Sequence, residues 1–399
     1  MESYDVLIVG AGPAGLTLAK ELATEGVNVL AIDKKQEIGA PKRCAEGLSL
    51  DGFKRAKLKP KKEWAVQKIR GAKLYSPSGE FVEIDYGKVV GYILERKIFE
   101  KDLAREAAKK GATIKAKTEA YDFERKEKEI IAKIKEFDEE KKIRTKIVAA
   151  CDGIESLTAR KLGLDTTNNL KDVDSGFQYE MANIKIEDPE LLHLYFGNKI
   201  APRGYVWVFP KGKHYANVGV GIAGYESRTA KSYLDSFIRN REELSSGSII
   251  EANAGGIPVG GLLKKMTADN LVVVGDAAHQ VNPIHGGGIA LAMEAAIIAS
   301  EVITEAIRKE NYSDSFLDEY NKKWWAIRGK ALERILKIRH MVERMKDDDF
   351  EILAKNLNGE DILTLADANV AKTISIITRK LIKHPSLLKF MLKYLKAKE

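Results

Sequence analysis

The chain has 399 residues, of which 44% are hydrophobic and 31% charged, the balance of a globular protein and not of a disordered chain. That length exceeds one hydrophobic core of ordinary size, so two or three structural units are expected. The formal charge is +8, but no zinc-finger spacing or basic–aromatic motif accompanies it, so nucleic acid is not an expected partner. The cysteines, Cys44 and Cys151, make no CxxC pair, so no iron–sulfur cluster, structural zinc or other metal site is expected. A reducing, cytoplasmic setting fits that usage, and no apolar run reaches the ~18 residues needed to span a bilayer.

Residues 4–10 (YDVLIVG) are an apolar run suited to a buried parallel strand. Gly10 to Gly15 read as a turn, a helix follows to about Glu25, and 27–33 make a second buried strand, completing a βαβ unit. Lys34 to Ser49 read as a loop, 95–111 as an amphipathic helix, and ATIKAK after it as a strand. Charged residues 122–144 read as a solvated hairpin, and 145–153 as a buried strand ending in a turn. Between 176 and 222 the pieces MANIKI, LHLYFG, YVWVFP and ANVGVGI alternate apolar and polar, which predicts antiparallel sheet. From Asn270 the buried-strand pattern returns; a small-residue helix follows from about Gly287, then charged helical chain from about Ser315.

The expected fold is therefore α/β: a Rossmann-type nucleotide domain interrupted by an antiparallel β-sheet substrate domain, with a C-terminal helical region. The nucleotide domain is expected in three parts, 1–65, 91–165 and 266–315. The sheet domain takes 166–265 with an excursion at 66–90, and the helical region takes 316–399.

In Gly10-Ala11-Gly12-Pro13-Ala14-Gly15, Gly10 permits the tight turn, Gly12 lets the backbone approach a pyrophosphate, and Gly15 allows close packing of helix on strand. The pyrophosphate sits on the helix N-terminus, where N–H groups and the dipole favour anions. Asp33, ending the second strand, can accept from ribose hydroxyls and would repel a 2′-phosphate. Such a unit serves NAD or FAD. LVVVGDAAHQVNPIHGGG at 271–288 favours FAD: Asp276 ends a buried strand and needs hydroxyl donors such as a ribityl chain. Gly286, Gly287 and Gly288 open a helix whose N-terminus would stabilise negative charge on a reduced flavin.

With these motifs in view, the chain resembles the geranylgeranyl reductase family, within the para-hydroxybenzoate-hydroxylase-like FAD superfamily, over nearly its whole length. GAGPAG with Asp33 matches the ADP-binding site, which brings in Ala14. Pro41 to Gly47, with Cys44 and Ala45, resembles the loop beside the flavin, though it lacks the tyrosine of the PxxYxCxG pattern. Leu94-Glu95-Arg96 resembles the segment whose arginine contacts FAD, Ala120 the adenine-side backbone, and Cys151-Asp152-Gly153 the superfamily's DG turn. Gly275-Asp276 and Gly286 to Ile289 resemble the ribityl motif. Tyr205 to Pro210, followed by Gly219-Val220-Gly221, resembles the YxWxFP…GxG signature.

The resemblance implies an FAD-dependent reductase that saturates isolated C=C bonds of polyprenyl chains in archaeal membrane lipids, fed by a ferredoxin-like carrier or a nicotinamide. Tyr205, Trp207 and Phe209 share one strand face and would either line an apolar channel or form sheet core, with Gly219 and Gly221 leaving room for a ligand. Cys44 is the candidate catalytic residue, its pKa expected to be lowered by Lys42 and Arg43. His279 and His285 flank the flavin motif and would either donate protons or, the preferred reading, face solvent or backbone. The segment from Thr378, with Arg379, Lys380, Lys383, Lys389, Lys393, Lys396 and Lys398 among leucines, reads either as an interfacial helix on a membrane surface or as a helix packed on the protein. The alternatives are a flavin monooxygenase or halogenase of an aromatic, and a non-enzymatic FAD-linked membrane scaffold. Halogenases carry WxWxIP, from which Tyr205 and Phe209 depart.

Overall fold

The structure is a computed structural model of the chain and describes residues 1–366. The basic segment from Thr378 lies outside the described residues. The chain opens with β1 (Glu2–Val9), α1 (Pro13–Thr24) and β2 (Val29–Ile32). There follow β3 (Gly47–Ser49), α2 (Leu50–Arg55), β4 (Ala65–Ile69), β5 (Gly71–Tyr75), β6 (Phe81–Asp85), β7 (Gly91–Leu94) and α3 (Arg96–Lys109). Next come β8 (Thr113–Lys115), β9 (Thr118–Lys126), β10 (Glu129–Glu136), β11 (Glu139–Ala150) and α4 (Leu157–Lys161). β12 (Val173–Ala182), β13 (Leu191–Tyr195), β14 (Tyr205–Pro210) and β15 (Tyr215–Ala223) precede α5 (Ala230–Arg239), α6 (Glu242–Ser245) and β16 (Ser248–Pro258). β17 (Thr267–Ala268), β18 (Leu271–Val273) and α7 (Ile289–Arg308) lead to α8 (Asp314–Leu317), α9 (Glu319–Trp324), α10 (Lys330–Val342), α11 (Asp347–Asn356) and α12 (Gly359–Ala366).

The first sheet runs β17–β18–β11–β1–β2–β8, and β9 and β10 fold back onto β11. β18, β11, β1, β2 and β8 are parallel, as buried apolar runs joined through helices should be. α1 starts at Pro13, whose fixed φ and missing N–H suit a first helical turn, and packs on α7 and α3. Four of these parallel strands end at one edge, followed by Gly10, Asp33, Cys151-Asp152 and Val274-Gly275-Asp276, so the carboxyl ends of the sheet carry the candidate cofactor residues.

The second sheet runs β16–β12–β15–β14–β13–β5–β6 and is antiparallel except where β13 meets β5. β5 and β6 thus leave the nucleotide part of the chain to join it. A third sheet, β3–β7–β4, lies beside helices α2 and α3, with Leu48, Phe53, Trp64, Leu94 and Phe99 in one cluster.

Two local expectations fail, and one strand goes unread in the sequence. The strand over MANIKI stops at Ala182 because Asn183 takes a left-handed φ of 56°. Ile184 and Ile186 then bury against the sheet from outside it. The charged stretch near 122–144 is not wholly solvated: Ile130, Ala132 and Ile134 are fully buried along β10. Finally, β16 has no counterpart in the sequence reading. Its Gly255 and Gly256 lack the strand signature, and its pairing comes from β12.

Candidate active site

A cleft of about 320 Å³ opens at the carboxyl edge of the parallel sheet. Gly10, Gly12 and Ala14 line it, with Asp33, Cys44, Arg96, Ala120, Asp152, Asp276, Gly288 and Ile289. These positions lie up to 279 residues apart (Gly10 to Ile289), and only the fold brings them together.

The glycines divide the work. Gly10 has a φ of +103°, and a Cβ there would lie 2.3 Å from the Cys151 carbonyl oxygen, so the loop crosses β11 only as glycine. A Cβ on Gly15 would lie 1.9 Å from the Gly10 carbonyl oxygen, so Gly15 serves packing and not the cleft. At Gly12 a Cβ would meet nothing within 4 Å, leaving the open approach that a diphosphate requires. Neither α1 nor α7 has a side-chain cap at its N-terminus, so both present backbone donors toward the cleft.

The carboxylates are arranged to accept. Asp33 Oδ2 accepts from Ala11 N at 3.0 Å and Oδ1 from Lys35 N at 2.9 Å, which ties the glycine loop to the end of β2. A carboxylate has about four lone-pair sites, so Asp33 keeps capacity for ribose hydroxyls. Asp152 Oδ2 accepts from Thr158 N at 2.9 Å, but its Oδ1 has no partner among the described residues. Glu100 Oε2, also on the cleft, has none either, while its Oε1 accepts from Arg96 Nε. Burial pushes the Asp276 carboxyl above its ordinary range, opposed by Arg96 and His279, and burial likewise raises Asp152. Buried acceptors that await hydroxyl or amino donors, beside two uncapped helix starts, fit the ribityl, diphosphate and ribose parts of FAD.

Other sequence-predicted residues stand back from the cleft. Ala45 presents its carbonyl oxygen to Asn217 Nδ2 at 3.3 Å. A Cβ on Gly47 would lie 3.2 Å from the Phe209 ring, and one on Gly287 would lie 2.6 Å from the His285 ring, so these two glycines make room for neighbours. His285 Nδ1 meets Gly287 N and His279 Nε2 meets the Thr166 carbonyl, so both histidines are bonded to backbone.

β14 carries the aromatic stripe, paired with β15 so that Tyr205 faces Gly221 and Trp207 faces Gly219. The expectation that these glycines leave room for a ligand fails at Gly219. A Cβ there would lie 2.3 Å from Trp207 Cζ2, so the indole already fills that space. Trp207 Nε1 donates to Gln178 Oε1 at 2.9 Å, and Gln178 Nε2 donates to the Cys44 carbonyl at 3.0 Å. Tyr205 donates to the His285 carbonyl at 2.7 Å. The stripe therefore braces the Cys44 and His285 loops.

For Cys44 the expected direction is reversed. Arg96 and the Glu46 N–H favour the thiolate, but burial outweighs them and pushes the thiol up. Lys42 faces away into a buried ion cluster with Glu46, Glu180 and Lys211, and Arg43 is exposed. That cluster, with Asn217 and Gln178, is what sequence reasoning missed. The available signal was charge inside apolar motifs: Lys42 and Glu46 flank Cys44, and Lys211 follows Pro210 directly.

The family model described as geranylgeranyl reductase catalytic domain matches residues 172–257, which span β12 to β16. A model described as lycopene cyclase protein matches residues 5–212. Digeranylgeranylglycerophospholipid reductase 1 of Methanosphaera stadtmanae is 40% identical over 389 residues, 96% of each chain. Digeranylgeranylglycerophospholipid reductase of Methanocaldococcus jannaschii is 42% identical over 392 residues, 97% of each. The crystal structure of a geranylgeranyl bacteriochlorophyll reductase-like protein from Thermoplasma acidophilum superposes with a TM-score of 0.88 at 34% identity, covering 99% of this chain and 100% of that one. A myxobacterial chondrochloren halogenase, at 17% identity and a TM-score of 0.72 over 93% of this chain and 92% of its own, shares the fold alone. Identity of this order along nearly the full length leaves one conclusion: the chain belongs to the digeranylgeranylglycerophospholipid reductase family of geranylgeranyl reductases.

Proposed function

We propose that this chain is an FAD-dependent reductase that saturates isolated C=C bonds of geranylgeranyl chains in archaeal ether phospholipids, a step of membrane lipid biosynthesis. The observation that carries it is the meeting of two uncapped glycine-rich helix starts, Asp33, Asp276 and Cys44 in one cleft, in a chain of this family.

When bound, FAD supplies the hydride equivalent that the C=C bond needs. Gly10, Gly12 and Ala14 would hold its diphosphate, Asp33 and Ala120 its adenosine side, and Asp276 with Gly288 and Ile289 its ribityl and ring side. Arg96 and Asp152 would flank it. An isolated alkene develops no oxyanion for donors to stabilise, so positioning and water exclusion carry the catalysis. Cys44 keeps its proton because burial disfavours the thiolate, so at the reacting bond it offers a proton and not a nucleophile. Tyr205, Trp207 and Phe209 hold that loop and present the apolar side of the site to a prenyl chain. Reducing equivalents come from a separate carrier, ferredoxin-like or nicotinamide.

We further place the enzyme on the cytoplasmic face of the membrane as a peripheral protein. The basic apolar segment from Thr378 supports this, and no helix among the described residues is long and apolar enough to cross a bilayer.

Anaerobic incubation of the chemically reduced protein with unsaturated archaeal-type phospholipid, read by mass spectrometry, tests the reaction. Hydrogen gain on the prenyl chains is expected. No gain, with oxygen-dependent consumption of an aromatic compound, would sink it in favour of a monooxygenase.

A further inference from the structure

We propose that Glu46 is a positioning residue for this reaction: one buried carboxylate locks the Cys44 loop to the start of α3 and to the seven-stranded sheet at the same time. The inference rests on the reading that Cys44 faces the reacting bond.

Glu46 is fully buried and sits at a φ of 74°, a left-handed conformation that a glutamate keeps only where its surroundings over-determine it. Its own N–H donates to Cys44 Sγ at 3.1 Å. Oε1 accepts from Arg96 N at 2.7 Å, so the carboxylate occupies the N-terminus of α3, where negative charge is favoured. The N-cap of α3, Glu95, makes no capping bond with its side chain, so Glu46 fills a place that local sequence leaves open. Oε2 accepts from Asn217 Nδ2 at 2.7 Å and pairs with Lys211 Nζ at 2.6 Å and Lys42 Nζ at 3.2 Å. Asn217 lies on β15 and Lys211 directly follows β14. One side chain therefore ties together the Cys44 loop, the helix that carries Arg96, and the sheet that carries the aromatic stripe.

Each of the surrounding charges has a partner of opposite sign. Lys42 and Lys211 face Glu46 and Glu180, with Glu95 at 2.7 Å from Lys211 and Glu251 at 3.9 Å from Lys42 toward the rim. Tyr215 donates to Glu180, and Lys97 reaches Glu251. Burial works against the charge on both lysines. Glu46 and Glu95 outweigh it at Lys211, which stays above its ordinary value, whereas Lys42 falls below its own. The groups that face the Cys44 thiol are Arg96, Glu46 and Tyr205. Among them the Glu46 charge opposes the thiolate.

A scaffold role and a positioning role predict different things for thiol chemistry. With Cys151→Ala as parent, Cys44 is the sole cysteine, and its alkylation by iodoacetamide can be followed against pH in the FAD-loaded protein. Glu46→Gln keeps the side-chain shape and removes the charge. Glu46→Gln/Lys211→Met removes one charge of each sign, so that no buried lysine is left unpaired. Both variants are expected to shift the alkylation profile to lower pH. They are also expected to lose about tenfold or more in kcat with little change in KM, the scale of one lost bond to a charged group. If both fold, bind FAD, and keep the parent's profile and kcat, the proposal is overturned. Failure of both to fold overturns it too, because the network is then scaffold alone. The underlying reading fails separately: a parent fully alkylated at Cys44 that still turns over at its original rate shows that the thiol is not at the reacting bond.

Discussion

The indole of Trp207 packs against Gly219, so close that the Cβ of any other residue there would sit 2.3 Å from its Cζ2 atom. From Trp207 a chain of contacts runs through Gln178 to the Cys44 carbonyl, with hydrogen bonds of 2.9 and 3.0 Å. Gly219→Ala should therefore push the indole off Gln178 and loosen the Cys44 loop. The expected cost is about 1–3 kcal/mol of stability, as for other overpacked cores, with a fall in kcat. Adding Trp207→Phe should relieve the crowding without restoring the bond to Gln178. The double variant should then recover its urea midpoint and not its turnover. Recovery of both would place Trp207 outside the chain of contacts that holds Cys44.

Asp276 and Asp152, both on the cleft, are expected to set the pH dependence of cofactor binding. Burial raises both carboxyls above the ordinary value of 3.8. Their protonated forms thus contribute stability that is full below that value and lost as pH rises through the raised one. Hydroxyl donors of a bound cofactor favour the ionised form instead, so binding should release protons and tighten as pH rises through this range. Calorimetric titration of the apoprotein with FAD, in two buffers of different ionisation heat, reads the released protons directly. Asp276→Asn should abolish part of the release and weaken binding by about 1.5–3 kcal/mol. Equal proton release in wild type and Asp276→Asn would remove Asp276 from the site.

The parallel sheet and its glycine turns were legible because their signals are local. An apolar run ending in Gly10 or Asp33 carries its own strand and turn, and Asp276 with Gly286 repeats the pattern near the other end of the chain. The brace around Cys44 was not legible, because Glu46 and Asn217 lie 171 positions apart and no period or spacing links them. The same holds for Gly219. Its smallness reads as room for a ligand until β14 is seen to lay Trp207 upon it. The direction of the Cys44 shift was misread for a related reason. Sequence places Lys42 beside the thiol but does not show the burial that raises it, and the fold draws the Lys42 ammonium into a cluster with Glu46 and Glu180.

Membrane attachment through the segment from Thr378 is open to a direct test. A chain ending at Ile377 should bind FAD as the full chain does and fail to pellet with vesicles rich in anionic lipid. Seven basic residues, at ~1 kcal/mol each near an anionic surface, should make binding of the full chain strongly salt-dependent. Pelleting of the shortened chain at the same level would assign the membrane contact to another surface.

Arg339 on α10 joins the helical region to both halves of the site. Its Nη2 pairs with Asp174 Oδ1 at 2.8 Å, Nη1 donates to the Pro283 carbonyl at 2.8 Å, and Nε meets Glu343 Oε1 at 2.8 Å. Asp174 belongs to β12, and Pro283 lies in the loop that leads to Gly286–Gly288, so one guanidinium spans the sheet and the cofactor loop. Arg339 and Asp174 are both buried, and removing one partner strands the other's charge. Arg339→Met should cost about 3–5 kcal/mol in urea unfolding. Arg339→Met/Asp174→Asn should regain much of that stability, since no uncompensated charge remains. The Pro283 carbonyl stays without its donor in both variants, so weakened FAD retention should persist in the double variant after stability returns. Retention that recovers together with stability would confine Arg339 to holding the helical region in place.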